Sequence, residues 1–250
     1  MHATSKIVLP LDVDSSDQAI ALAYALRDEV AAFKVGLELV NSVGVDIFDR
    51  LIEELGPDVR IFYDCKLHDI PNTVAGASRA ITRRGLWMFN VHASGGSAMM
   101  SAAVDAVVAG SVRRSGFELG QAPRPLVIAV TVLTSISQDV LSDELGIDRP
   151  IGEYAVGLAR LAQQAGCDGV VCSPHEIAAI REACGSEFVI VTPGVRPAGS
   201  DHGDQRRVLS PGQAAASGAD YLVIGRPISA APDPVAAART VNAETLAAYV

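Results

Sequence analysis

Short runs of apolar, often β-branched residues recur along the chain with almost no polar alternation inside them. They are IVLPL ahead of Asp12, AFKV around Lys34, IFYDC around Asp64 and MFNV ahead of His92. The series continues with LVIAVTV after Pro125, GVVC ahead of Ser173, FVIVT ahead of Pro193 and YLVIG ahead of Arg226. A strand with one wet face alternates apolar and polar residues, whereas a parallel strand covered on both faces reads as a continuous apolar run. The intervening segments carry helical spacing instead. After the first run, Ala19, Leu22, Ala23, Leu26 and Val30 fall on one helical stripe, with Ser15 and Gln18 set as a capping box. After the fifth, Tyr154, Leu158, Leu161, Ala162 and Ala165 do the same, and Gly166 follows as a C-cap. Eight β/α units within 250 residues predict an α/β fold, the TIM (β/α)8 barrel, with residues 1–250 as a single domain. An open doubly wound sheet is the alternative, but no G-x-G-x-x-G follows the first run.

A barrel carries its chemistry at the C-terminal ends of the strands. The candidate residues at the ends of the runs and in the loops after them are Asp12, Lys34, Asp64, Lys66, His92, Ser173, Arg196, Gly225 and Arg226, nearly all of them polar. The densest stretch is FYDCKLHDIPNT, residues 62–73. On a strand Asp64 and Lys66 share a face and Cys65 points the other way, with Asp69 three residues beyond in D-x-K-x-x-D. Opposite charges at the end of an apolar strand are costly to desolvate, which favours a reactive site over an ion pair kept for stability. Asp69 alone reads equally as an N-cap, with Ile70 and Pro71 in the first helical turn. Lys34, inside AFKV, must point to the barrel mouth to avoid burial; Asp12 is a site residue or a turn cap.

The HASGG segment at His92 reads as scaffold, not as a general base beside a phosphate loop. Residues 194–207, GVRPAGSDHGDQRR, make a polar loop with Arg196 and Gln205 that has the composition of a binding loop or lid. With Gly225 and Arg226 after the eighth run it predicts a phosphate site, backbone N–H groups joined to a bidentate cation. TVLTSIS brings hydroxyls, Thr134 among them, to the fifth strand end, and the long acidic loop up to Pro150 suits a second flap.

Composition narrows the function further. A formal net charge of −9 leaves no basic excess for nucleic acid, so positive partners for an anionic substrate must be gathered locally. The four cysteines form no C-x-x-C pair and read as reduced packing residues, with neither a disulfide framework nor a metal site. The start, MHATSKIVLPLD, has no apolar run fit for a signal peptide, and no membrane-spanning segment follows; the expected location is cytoplasmic.

The chain resembles the orotidine 5′-phosphate decarboxylase family over nearly its whole length. The resemblance rests on LDVD at Asp12, FKVG at Lys34, DCKLHDIPNT from Asp64 to Thr73, NVHASGG at Asn90, LTS at Thr134, TPGVRP at Arg196 and IGRPI at Arg226. It implies decarboxylation of orotidine 5′-monophosphate to UMP without metal or other cofactor, in a homodimer with shared active sites. On that resemblance Lys66 protonates C6, Asp64 lies beside the departing carboxylate, and Lys34 and Asp69 complete a Lys–Asp–Lys–Asp array. Asp69 and Thr73 are implied to serve the neighbouring subunit's site, and Ile70 to be a substrate-binding residue. Asp12 and Lys34 would hold ribose hydroxyls, Thr134 would lie near ribose and pyrimidine, and Gln205, Arg226 and the Gly225 backbone would grip the phosphate beneath Arg196. Metal-dependent relatives, the keto-gulonate-phosphate decarboxylases and hexulose-phosphate synthases, share D-x-K-x-x-D but have an acidic metal ligand where Lys34 stands. A non-catalytic phosphate-ligand binding barrel is the remaining alternative. The segment SVRRSGFELGQAPR, before the fifth run, has no motif and is expected to lie away from the site.

Overall fold

Eight parallel strands close on one another in chain order, and helices return the chain across the outside of the sheet. A computed structural model describes residues 5–111, 124–196 and 209–248. The strands are β1 (Ile7–Pro10), β2 (Ala32–Val35), β3 (Ile61–Leu67), β4 (Met88–His92), β5 (Leu126–Val130), β6 (Gly169–Val171), β7 (Val189–Thr192) and β8 (Tyr221–Val223), and β8 pairs back onto β1. Each coincides with an apolar run named above, β3 and β4 extending two residues and one residue beyond theirs, so the (β/α)8 expectation holds.

The runs hide a period of two. Val8, Ala32, Phe62, Met88, Ile128 and Val191 cluster inside the barrel. Their strand neighbours Leu9, Phe33, Phe89, Val127 and Ile190 pack outward among the helices. Both faces are dry, so both are apolar, and alternation appears only in the direction each side chain takes. One pleat past the interior layer, the inward positions become Pro10, Lys34, Asp64, Asn90 and Val130. The inside of the barrel therefore turns from apolar to charged at its C-terminal mouth.

The helices α1 (Ser16–Leu26), α2 (Leu37–Val43), α3 (Ile47–Leu55), α4 (Pro71–Arg84), α5 (Ser97–Ser111), α6 (Ile151–Gln164), α7 (Ile177–Cys184), α8 (Pro211–Ala216), α9 (Arg226–Ser229) and α10 (Pro234–Ala247) form the outer layer. Ser15 does stand at the N-cap of α1, but its side chain makes no capping bond, so the expected capping box is absent there. Boxes form instead at Ser173 with Glu176 and at Ser210 with Gln213, where proline holds the first helical position. Past α6, Gly166 takes φ +85°, the left-handed turn expected of it.

The opposite, N-terminal end of the barrel is tied by two like devices. Asp168, just before β6, accepts from the N–H of Val127 and pairs with Arg124; Asp220, just before β8, accepts from the N–H of Ile190 and pairs with Arg181. Each aspartate satisfies a backbone donor where a neighbouring strand begins, and each holds an arginine against loop carbonyls or its own fork. No described helix is long and apolar enough to cross a membrane.

Candidate active site

The mouth of the barrel holds a cavity of about 320 Å³, floored by Phe62, Val171 and Val223 and walled by strand ends and the loops after them. That volume lies in the range that encloses most of a small ligand. Asp12, Lys34, Asp64, Lys66, Thr134, Arg196, Gly225 and Arg226 line it, so eight of the sequence-predicted positions converge from six different strand ends. Val132, Leu133, Cys172 and Pro193 supply an apolar wall; none of the four was among the expected site residues, although Val132, Leu133 and Pro193 lie inside named motifs. Four cationic side chains face two carboxylates there, an excess of two positive charges in a chain of net charge −9. The local field therefore favours an anionic ligand.

Three contacts order the charges. Lys34 Nζ lies 3.1 Å from Asp12 Oδ1 and 3.4 Å from Asp64 Oδ2, and Lys66 Nζ donates to Asp64 Oδ1 at 2.7 Å. The sequence within one chain is Asp12–Lys34–Asp64–Lys66, with Asp64 between two ammonium groups. Burial, the largest single influence on Asp64, pushes its carboxyl up; Lys34, Lys66 and the hydrogen bonds from Lys66 and Asn90 together outweigh it and hold the group below the usual carboxylate range. Asp64 is thus an anion that water scarcely reaches, fixed by its neighbours.

Strand β3 departs from plain extension to achieve this. The register shifts between Tyr63 and Leu67, and Lys66 sits at φ +49°, the one non-glycine residue in the left-handed region among those described. A side chain there costs of order 1–3 kcal/mol, a strain that persists only where surroundings enforce it. Lys66 donates its backbone N–H to Asn90 Oδ1 at 2.7 Å, and Asn90 Nδ2 donates to Asp64 Oδ1 at 2.7 Å. Asn90 is fully buried on β4. It belonged to a recognised motif but was not among the expected site residues; its signal was a single amide inside the apolar run MFNV.

Cys65 points away as expected, its thiol donating to the Asn90 carbonyl; burial pushes it up to about 12, which removes it as a nucleophile at neutral pH. His92 stacks obliquely on His68 with ring centroids 5.4 Å apart. Burial first, then the nearby His68 and Lys66, pushes His92 down, so its imidazole is neutral at pH 7, in line with its reading as scaffold. Ser173 serves the capping box before α7 and does not line the cavity.

The loops after β7 and β8 make the far wall. Val195 bridges Leu209 in parallel and Arg196 donates its N–H to Leu209 O, which brings the two ends of the loop together at the cavity rim. Gln205 and most of the expected lid lie outside the described residues, as does most of the SVRRSGFELGQAPR segment. Gly225 precedes α9 where a Cβ would come within 2.8 Å of Pro10 Cγ, so only glycine keeps the β1 and β8 ends this close. The acidic loop before α6 is tied down: Gln138 bonds Ser142, the Arg149 carbonyl and the Ile151 N–H, and Leu141 is buried.

Asp69, Ile70 and Thr73 are not brought to this cavity. Asp69 is exposed, and its Oδ1 accepts from the N–H of Ile70 at 2.6 Å. It is not the N-cap of α4, the bland alternative for it: Ile70 holds that place, with Pro71 first in the helix, because Pro71 forces the residue before it into extended backbone. Ile70 is 67% exposed and Thr73 is exposed beside it.

Residues 5–241 match the model of a family described as orotidine 5′-phosphate decarboxylase / HUMPS. An orotidine 5′-phosphate decarboxylase of Moorella thermoacetica is 55% identical over 244 residues, 98% of this chain and 93% of that protein. One of Syntrophomonas wolfei is 50% identical over 245 residues, 98% of this chain and 99% of its own. The crystal structure of orotidine 5′-phosphate decarboxylase from Lactobacillus acidophilus superposes with a TM-score of 0.81 at 37% identity, covering 96% of this chain and 99% of that one.

Proposed function

The chain belongs to the orotidine 5′-phosphate decarboxylase / HUMPS family, and on that premise we propose that it converts orotidine 5′-monophosphate to UMP and carbon dioxide in pyrimidine biosynthesis. The observation that carries the reading is Asp64 held between Lys34 and Lys66, 3.4 and 2.7 Å away, at the floor of a cavity whose other wall holds Gly225 and Arg226. Within the family, metal-dependent members need an acid at the end of the second strand. Lys34 stands there, and an ammonium repels a divalent cation.

Breaking the C6–carboxylate bond leaves its electron pair on C6, in an orbital the pyrimidine ring delocalises poorly. Lys66 Nζ is the acid of the site. Its positive charge stabilises the developing carbanion, and its proton then forms the C6–H bond of UMP, leaving a neutral amine that solvent reprotonates. Asp64 stays ionised beside the substrate carboxylate and holds the Lys66 ammonium in line. Asp12 and Lys34 take the ribose hydroxyls, and Thr134 contacts ribose and pyrimidine. Arg226, the Gly225 backbone and Gln205 hold the phosphate under Arg196. Binding energy from the distant phosphate pays for organising the reacting end, where the substrate itself offers little to hold. The scheme uses no cofactor.

The protein acts as a homodimer. Asp69, Ile70 and Thr73 lie exposed beside the mouth yet outside its own cavity, which suits residues that complete a second copy's site. Incubation of the purified protein with orotidine 5′-monophosphate tests the reading: the orotate chromophore disappears with wild type and persists with Lys66→Ala. Mixing inactive Asp69→Ala and Lys66→Ala chains restores part of the activity if sites are shared. Mixed dimers that form and stay inactive remove the trans role of Asp69.

A further inference from the structure

One buried group in the mouth has no part in the scheme above. Asn90 is fully buried, yet both ends of its amide are used: Oδ1 accepts from the Lys66 backbone N–H and Nδ2 donates to Asp64 Oδ1, each at 2.7 Å. It does not line the cavity. We infer that Asn90 is the positioning residue of this site, a single amide that holds the proton donor's backbone and the anion beside it in one geometry.

Three features of the structure point this way. First, the oxygen of Asp64 that accepts from Asn90 is the same oxygen that accepts from Lys66 Nζ. The amide therefore fixes the rotation of the carboxylate, leaving Oδ2 turned toward Lys34. Second, the backbone that Asn90 captures is the strained one, Lys66 at φ +49°, at the point where pairing between β3 and β4 shifts register. With ordinary ladder pairing interrupted, the Lys66 N–H needs an acceptor, and the side chain of Asn90 replaces the missing strand carbonyl. Third, an amide in MFNV is an expense for stability unless both ends are bonded, and an apolar residue would pack there without that demand. A donor and an acceptor are both required, one for a carboxylate and one for an N–H, and the carboxamide offers both on separate atoms without titrating, whereas an isosteric carboxyl donates only while protonated.

The inference rests on the decarboxylase reading, and the experiment separates the two. Asn90→Leu removes both bonds at similar volume; Asn90→Asp keeps an acceptor for the Lys66 N–H and loses the donor to Asp64. Steady-state decarboxylation of orotidine 5′-monophosphate is measured for both variants and wild type across pH 4–9, with thermal melting as the check on folding. A displacement of the donor by about 1 Å costs on the order of 100-fold, so Asn90→Leu is expected to lose about that factor in kcat. KM stays within about threefold, because the groups proposed for ribose and phosphate lie on other strands. The groups facing Asp64 are Lys34 on β2, Lys66 on β3 and Asn90 on β4, with Asp12 behind Lys34; His92, beside His68, is near enough to feel the Asp64 charge. Loss of the Asn90 donor removes one of the bonds that favour the anion, so the acid limb of kcat moves to higher pH in both variants, most in Asn90→Asp.

If Asn90→Leu does not fold, Asn90→Asp, with the same shape, decides. A folded variant with wild-type kcat and an unmoved acid limb overturns the inference. So does a loss of activity that only tracks the loss of folded protein, with kcat per folded chain and the pH profile unchanged. An inactive wild type sinks the decarboxylase reading itself, which no result on Asn90 alone would do.

Discussion

Replacing Lys34 by methionine tests whether the charged mouth is held together by its own electrostatics. Lys34 is 9% exposed and lies 3.4 Å from Asp64 and 3.1 Å from Asp12. At an effective dielectric near 20, an ion pair at that separation with Asp64 is worth about 5 kcal/mol before desolvation. Taking the lysine out of water consumes much of this, while removing one partner of a buried pair costs about 3–5 kcal/mol because the other is stranded. Asp64 is not wholly stranded, since Lys66 and Asn90 both remain at 2.7 Å. Asp12, with more than half its side chain in water, rehydrates at little cost. The expected loss at neutral pH is therefore about 2–3 kcal/mol, below the full figure for an orphaned charge.

The pH dependence follows from Asp64. Its folded pKa lies below the unfolded value, so the wild-type carboxylate adds stability above the ordinary carboxylate range and loses it as pH falls through the depressed folded value. Without Lys34 the folded value rises. The deficit of Lys34→Met is then complete at pH 7 and shrinks between its own raised value and the wild type's lower one, where the mutant is already protonated. Urea unfolding at a series of pH values measures both quantities, with the change in midpoint read at constant m. Equal stability at pH 7, or a deficit that does not vary with pH, would refute the electrostatic account of the mouth.

Three further outcomes are expected. Gly225→Ala drives a Cβ to 2.8 Å from the Pro10 ring, so the ends of β1 and β8 must part; the KM for orotidine 5′-monophosphate rises by about tenfold, a loss near 1.4 kcal/mol, while kcat at saturation changes less. Phe62→Ala empties the centre of the barrel interior, where the ring is 1% exposed, and lowers stability by about 3–5 kcal/mol in urea titration. Arg181→Ala breaks bonds to the carbonyls of Gly185, Ser186, Phe188 and Gly218 and to Asp220 at the far end of the barrel; it destabilises by about 2–4 kcal/mol and leaves KM unchanged.

The barrel was legible because parallel strands covered on both faces leave long apolar runs, and eight such runs admit few arrangements. The site was legible where a charge interrupted a run: Lys34 in AFKV and the Asp64–Lys66 pair have no place in a dry strand unless they end at the mouth. Asn90 was harder to see because an amide carries no charge and its neighbour His92 draws the eye, although His92 proves to be a neutral ring against His68. The left-handed backbone at Lys66 left no trace in the sequence, since IFYDCKL reads as ordinary extended strand and the bend comes from pairing with β4. Ser15 carried the right letters for a capping box, yet its side chain does not reach its N-terminus. The spacing of Asp69 suggests a helix cap only if the helix begins at Ile70, one residue ahead of Pro71, where α4 starts.

The most direct test of the whole account compares turnover of two substrates, each in the presence of chelator. Purified wild-type protein in EDTA is offered orotidine 5′-monophosphate and, separately, 3-keto-gulonate 6-phosphate. The account predicts release of UMP and carbon dioxide from the first at a rate the chelator does not change, and no turnover of the second. Turnover of the sugar phosphate, or loss of nucleotide decarboxylation on chelation with recovery on adding Mg²⁺, would contradict it.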